Sequence, residues 1–243
     1  MIDPLGLPAL GLPVLAAVSC ALHRRGRAAA AARAAMLEPC AALLAEPVHG
    51  RDRAGYGTLR GRFAGLPVEV RLIPEALAFR RLPQLWLSVS VHVSTGLPAT
   101  LDVLRRAVGA EFYAPDELPA RYPVPPGWPG ETLVRGTRGA GPLLARAAAA
   151  LAKILAEPRV KEVLVAPRGV RIVSQLCQGE RGAYLLLREC RFPIAQVDPG
   201  ILRPRLAEAA ELTARLSTEE VGHDGHDADD GHDTTDRRAR AAA

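Results

Sequence analysis

Leu85-Trp86-Leu87-Ser88-Val89-Ser90-Val91-His92-Val93-Ser94 alternates without a break. Successive side chains of a strand point to opposite faces, so Leu85, Leu87, Val89, Val91 and Val93 meet a core. Trp86, Ser88, Ser90, His92 and Ser94 face the other way. One apolar side and one polar side mark a strand of an antiparallel sheet covered on a single face.

The neighbouring stretches extend this sheet. Two strands are expected at 56–63 and 67–73, joined by a turn at Ala64-Gly65; Val68, Val70 and Leu72 point inward, and Glu69 and Arg71 outward. Before them, 28–45 is Ala-rich and reads as a helix, bent at Pro39, with 47–55 as a polar turn. After Ser94, 98–107 reads as a short helix with Pro98 in its first turn.

The same order then returns: a helix at 142–156, strands at 160–165, 169–176 and 183–191, and a helix at 204–216. Leu44-Ala45-Glu46-Pro47 closes the first leading helix and Leu155-Ala156-Glu157-Pro158 the second. Val68-Glu69-Val70-Arg71 matches Val170-Arg171-Ile172-Val173 in position. The expected fold is therefore α+β. An antiparallel sheet of about six strands forms from two pseudo-repeated α-βββ-α halves, 28–107 and 142–216, with helices on one face. The connection 108–141 carries six prolines and four of the ten aromatic residues of the chain, Phe112, Tyr113, Tyr122 and Trp128. Aromatic side chains gain nothing in solvent, so this connection is expected to pack on the sheet, as lids and binding loops do.

Outside the domain lie two segments of different character. Residues 4–22 carry no charge, and His23, Arg24, Arg25, Arg27 and Arg33 follow. As a helix this run reaches roughly 28 Å, enough for a hydrocarbon core. The arginine collar would hold its C-terminal side in the cytoplasm. Segment 1–27 therefore reads as a single-pass membrane anchor, with the domain, 28–216, in the cytoplasm. The alternatives are an apolar arm packed on a soluble cytoplasmic domain or on a partner, and a cleaved signal. The signal fits less well because the first three residues hold no Lys or Arg. Residues 217–243 repeat Gly-His-Asp and are too polar to build a core, so they read as a disordered tail.

The chain has a formal charge of +5, but only Lys153 and Lys161 are lysines among its 31 basic residues. Abundant Arg, Ala, Gly and Pro together reflect a GC-rich coding sequence, so the arginines do not argue for nucleic acid. The four cysteines, at 20, 40, 177 and 190, show no zinc spacing and read as free thiols. His49 and His92 lie near no nucleophile motif, and no glycine-rich phosphate loop is present, so no catalytic residue and no cofactor is assigned. His223, His226 and His232 of the tail are weak metal candidates without fixed geometry.

The outward sheet face is the remaining candidate site. Arg60, Arg62, Arg71, Trp86, His92, Arg171, Tyr184 and Arg188 would gather there with Glu69, and suit an anionic ligand. The bland reading of that face is a solvated surface with cross-strand Arg–Glu pairs.

Two stretches carry a resemblance: Gly57-Thr58-Leu59-Arg60-Gly61-Arg62-Phe63-Ala64-Gly65-Leu66-Pro67-Val68-Glu69-Val70-Arg71 and Phe79-Arg80-Arg81-Leu82-Pro83-Gln84-Leu85-Trp86-Leu87. With Ala156-Glu157-Pro158-Arg159-Val160-Lys161-Glu162 and Ala166-Pro167-Arg168-Gly169-Val170-Arg171, they resemble a family of uncharacterised bacterial proteins over most of 36–192. The resemblance implies no activity. The sequence thus points to a membrane-tethered, non-enzymatic interaction or accessory protein, with a protein or membrane lipid as partner. The alternative is a binding module for an anionic small molecule or lipid headgroup, lidded by 108–141. Truncation beyond Ser217 should leave the melting temperature nearly unchanged; a large drop in a thermal melt would show that the tail belongs to the fold.

Overall fold

The computed structural model describes residues 6–75, 82–94, 96, 98–107, 111, 113–115, 117–187 and 189–218, with side chains from Leu15 onward apart from Leu187 and Thr218. Nine strands form one antiparallel sheet: β1 (Ala45–Arg51), β2 (Gly57–Phe63), β3 (Leu66–Glu75), β4 (Gln84–Val91), β5 (Leu101–Arg105), β6 (Ala120–Tyr122), β7 (Thr132–Gly136), β8 (Val160–Ala166) and β9 (Gly169–Gln178). Their order across the sheet is β1-β2-β3-β4-β9-β8-β5-β7-β6. The four α-helices are α1 (Gly6–Ala35), α2 (Gly141–Leu155), α3 (Arg181–Leu187) and α4 (Pro199–Thr218).

The alternation in 85–94 lands as expected. Leu85, Leu87, Val89 and Val91 are buried against the helical side, where α4 crosses β4 and β9, and α2 covers β8 and β5. Leu202, Leu206, Ala209, Leu212 and Leu216 supply the face of α4, and Leu144, Ala147, Leu151 and Leu155 that of α2. Each large side chain buried there contributes on the order of 1.5–3 kcal/mol.

Four sequence expectations change. The segment read as a helix at 98–107 is β5. Leu101 and Val103 enter the main core while Asp102 and Leu104 are buried on the opposite face, and pairing on both sides with β8 and β7 outweighs the helix signal of Pro98. The polar turn at 47–55 is largely β1, an exposed edge strand that tolerates Pro47 and bulges between Ala45 and Val48. The expected strand at 183–191 contains α3 instead; Ala183 and Leu185-Leu186-Leu187 include no β-branched residue, and straight helix formers prevail. The second half therefore follows α2 with two strands and two helices, not three strands and one helix. The connection supplies β6 and β7, which accounts for the larger sheet.

At its N-terminal side, α1 continues without a break from Gly6 through the arginine collar to Ala35, and a 3-10 turn, Glu38–Leu43, takes over with Pro39 in its first turn. Met36, Leu37 and Cys40 plug this junction into the core. Burial raises the Cys40 thiol to about 11, and its sulfur lies 3.5 Å from the Val197 carbonyl. All four cysteines are free thiols. Among the described residues no helix is long and apolar enough to cross a membrane. The part of the apolar run before Leu15 lies outside the residues whose side chains are described, as do the tail histidines.

The turn from β8 to β9 depends on Gly169. Its φ is +139°, and a Cβ there would stand 1.8 Å from the Val91 carbonyl oxygen. Gly169→Ala should cost about 1–3 kcal/mol of overpacking or more, lowering the melting temperature by roughly 3–10 °C. An unchanged melt would show that the turn relaxes.

Candidate functional site

The second sheet face is only half open. One row of residues, set by strand register, runs across it: Arg135 on β7, Asp102 on β5, Leu164 on β8, Arg171 on β9, Ser90 on β4, Glu69 on β3 and Arg60 on β2. The Arg60 end is in solvent. The Asp102 end lies beneath the connection, at Glu111, Tyr113 and Ala114.

Beneath this roof, Arg135 Nε donates to Asp102 Oδ2 at 2.8 Å. One strand further on, Arg171 grips both oxygens of Glu162, with Nε and Nη2 each at 3.0 Å, and its Nη2 also donates to the Tyr113 carbonyl. Lys161 occupies the bulge of β8, donates to the Arg106 carbonyl, and lies 3.4 Å from Glu111. Tyr113 tilts onto Trp86 at 5.8 Å between ring centroids, and Trp86 Nε1 donates to Glu75 at 3.0 Å. The Arg171 and Lys161 contacts tie the roof to the sheet.

Asp102 and Glu162 have no exposed side-chain surface, and their carboxyls are close enough to hydrogen-bond. Burial raises Glu162 to about 7, against the pull of Arg171 and with help from Asp102. Burial raises Asp102 as well, opposed by Arg135. Asp102 Oδ1 has no hydrogen-bond donor among the described residues. Two buried carboxyls side by side disfavour a second negative charge, which adds to the rise.

The sequence-predicted residues divide into three groups. Arg171 and Trp86 lie under the roof, as above. Arg60, Arg62, Arg71 and His92 stay on the open part. Arg60 chelates Glu69 at 2.9 and 2.7 Å, His92 Nε2 approaches the same carboxylate at 3.5 Å, and Arg62 donates to the Gly65 carbonyl. Cross-strand pairing of Arg60 with Glu69 is the bland reading of this face, and it holds there. Arg71 is exposed. Tyr184 leaves the face because it lies on α3 rather than on a strand. Arg188 lies outside the described residues.

Asp102, Glu162, Arg135, Glu111 and Lys161 were missed. The available signal was Lys161-Glu162 set between Val160 and Val163-Leu164-Val165, two adjacent charges inside an otherwise apolar strand. The connection packs on the sheet as expected, through Tyr113 against Trp86 and Arg171, and the Arg60–Arg62–Arg71 strip lies on the open part. Tyr122 anchors the same connection. Its hydroxyl donates to the Thr137 carbonyl at 2.7 Å and accepts from the Ala140 amide at 2.9 Å, where α2 begins.

No family model, curated protein or solved structure matches this chain. What can be said of the site therefore rests on its own chemistry.

That chemistry has a pH signature. The unfolded chain releases the Glu162 proton near its ordinary value of 4.5, whereas the folded chain keeps it until about pH 7. Stability from this group thus falls as pH rises between those values and is flat above them. Replacing Glu162 by Gln removes that dependence. The stability difference, variant minus native, should climb between pH 5 and 7 with a slope approaching about 1.4 kcal/mol per pH unit. Denaturant melts at several pH values measure it; a pH-independent difference would mean that Arg171 keeps Glu162 ionised throughout.

Proposed function

We propose that this chain is a membrane-tethered, non-enzymatic interaction or accessory protein whose domain stands on the cytoplasmic side. The observation that carries the reading is the state of α1. From Leu15 to Ala29 every residue is exposed, and Leu15, Val18 and Leu22 show 68 %, 50 % and 64 % of their surface. An apolar helix that the domain leaves bare needs another apolar environment. Burying each such side chain gains roughly 1.5–3 kcal/mol. Arg24, Arg25 and Arg27 follow within a turn and a half. Each is attracted to anionic cytoplasmic lipid by about 1 kcal/mol and is costly to translocate. The membrane span itself, over 4–22, is part of the proposal. The resemblance to uncharacterised bacterial proteins adds no activity to it.

The interior of the domain supports an accessory role. The acid pair spends its charge on Arg135 and Arg171 and is roofed. A second reading rests on the open strip, where Arg60 and His92 meet the Glu69 carboxylate and Arg62 and Arg71 share the same face. That surplus of positive charge suits an anionic small molecule or headgroup.

Fractionation separates the two readings. The full-length chain should sediment with membranes and resist carbonate, whereas a chain lacking residues 1–22 should stay in the supernatant. Full-length protein that remains in the supernatant would sink the tether. A shortened chain that still binds anionic vesicles, and loses them on Arg62→Glu with Arg71→Glu, would favour the second reading.

A further inference from the structure

Register places several exposed features at one end of the sheet. The β1–β2 hairpin, the end of β3, the start of β4 and the end of β9 share that end, because Arg51 pairs with Gly57, Glu75 with Gln84 and Gln84 with Gln178. From the same end α1 leaves the domain. The backbone of α1 touches β2 so closely that a Cβ on Gly57 would meet the Ala34 carbonyl oxygen at 2.3 Å. The Arg33 guanidinium then lies over the Tyr56 ring at 6.0 Å, beside the hairpin tip. The segment after β9 flanks the other side of this root. Ala29, Ala32 and Arg33 of α1 and Met36 just after it share a cavity of about 340 Å³ with Tyr56, Glu180, Cys190, Phe192 and Ile194.

Within that segment, α3 carries two bare leucines: Leu185 is 56 % exposed and Leu186 84 %. Around them the exposed charge is mainly positive, with Arg51 and Arg53 on the hairpin, Arg181 on α3, and Arg24, Arg25 and Arg27 on α1. The nearby acids are fewer: Glu180 is exposed beside Arg181, Asp52 accepts from the Tyr56 amide at 2.8 Å, and Glu189 pairs with Arg191 at 2.9 Å.

We propose that this end of the sheet is a lipid-binding surface, with α3 resting on an anionic bilayer and Leu185 and Leu186 in its apolar boundary. The proposal rests on the tether reading and adds a second, independent membrane contact. Scale supports it. The last bare leucine of α1 is Leu22, and the helix meets the domain near Ala30, about 12 Å further along. The interfacial layer of one leaflet is roughly 5–8 Å deep. A bilayer that takes Leu22 into its core therefore brings its headgroups to the arginines of the hairpin and of α3. Apolar side chains at the boundary with arginines at headgroup level are what an interfacial helix presents to anionic lipid.

The test is amide hydrogen exchange on the full-length chain in nanodiscs of phosphatidylcholine containing phosphatidylserine, beside discs of phosphatidylcholine alone. On the anionic discs, exchange over 181–187 should be at least about tenfold slower in the native chain than in the Leu185→Asp, Leu186→Asp variant, two buried leucines being worth more than one decade. Native protection should also fall when phosphatidylserine is omitted, which separates lipid contact from mere loosening of α3 by the aspartates. A chain that enters both kinds of disc, yet exchanges equally over 181–187 in all cases, overturns the α3 contact and leaves the tether standing. A chain that does not enter discs at all overturns the tether and this surface with it.

Discussion

The sheet is one body because β4 pairs with β9. On one side of that seam lies a sequential meander, β1 to β4; on the other, β5 stands between two sequence-neighbour pairs, β8–β9 and β6–β7. The seam must be dry on both faces to hold them together. Leu85, Leu87, Val89 and Val91 seal it against α4. On the opposite side Trp86 and Ser88 are buried too, with Tyr113 stacked on the indole. A hydroxyl on a nominally wet strand face is dry because a chain segment more than twenty residues away folds over it.

That covering explains what could be read from the sequence and what could not. Period-two alternation marked β3 and β4, short apolar runs between turns marked β2, β8 and β9, and Ala-rich or Leu-spaced runs marked α2 and α4. β5 carries a pattern as well, but in five residues it competes with the helix-start signal of Pro98, and only its partners on both sides decide. β1 and β6 have no pattern of their own; one is exposed on both faces and the other is three residues long. Of the candidate site, Arg171, Trp86 and Arg60 were legible as outward strand positions. Asp102 and Glu162 are 60 positions apart, and Arg135 belongs to a stretch read as a loop. Their meeting is a property of strand order, which sequence spacing does not encode.

Charge is used in two ways on this sheet. Beneath the roof, Arg135 and Arg171 grip two fully buried carboxyls, so they fix geometry: removing one partner strands the other, at a cost of about 3–5 kcal/mol. In solvent, the Arg60–Glu69 pair is worth little, about 0–1 kcal/mol. The arginines at the end that carries α1 belong to neither class, since they stand beside bare leucines and answer few carboxylates. The same residue type thus serves architecture in the middle of the sheet and contact at its end.

Strand order also sets a timetable for synthesis. Once β4 has left the ribosome, the meander can form, but the edge that β9 will occupy stays open until roughly eighty more residues are made. At synthesis rates of about 5–20 residues per second, that is some 4–16 s. Throughout that interval an apolar strand edge is free to recruit a neighbouring chain. If α1 enters a bilayer as it emerges, nascent chains are held apart in the plane of the membrane while this edge waits. Attachment would then protect the protein during its making as well as place it afterwards.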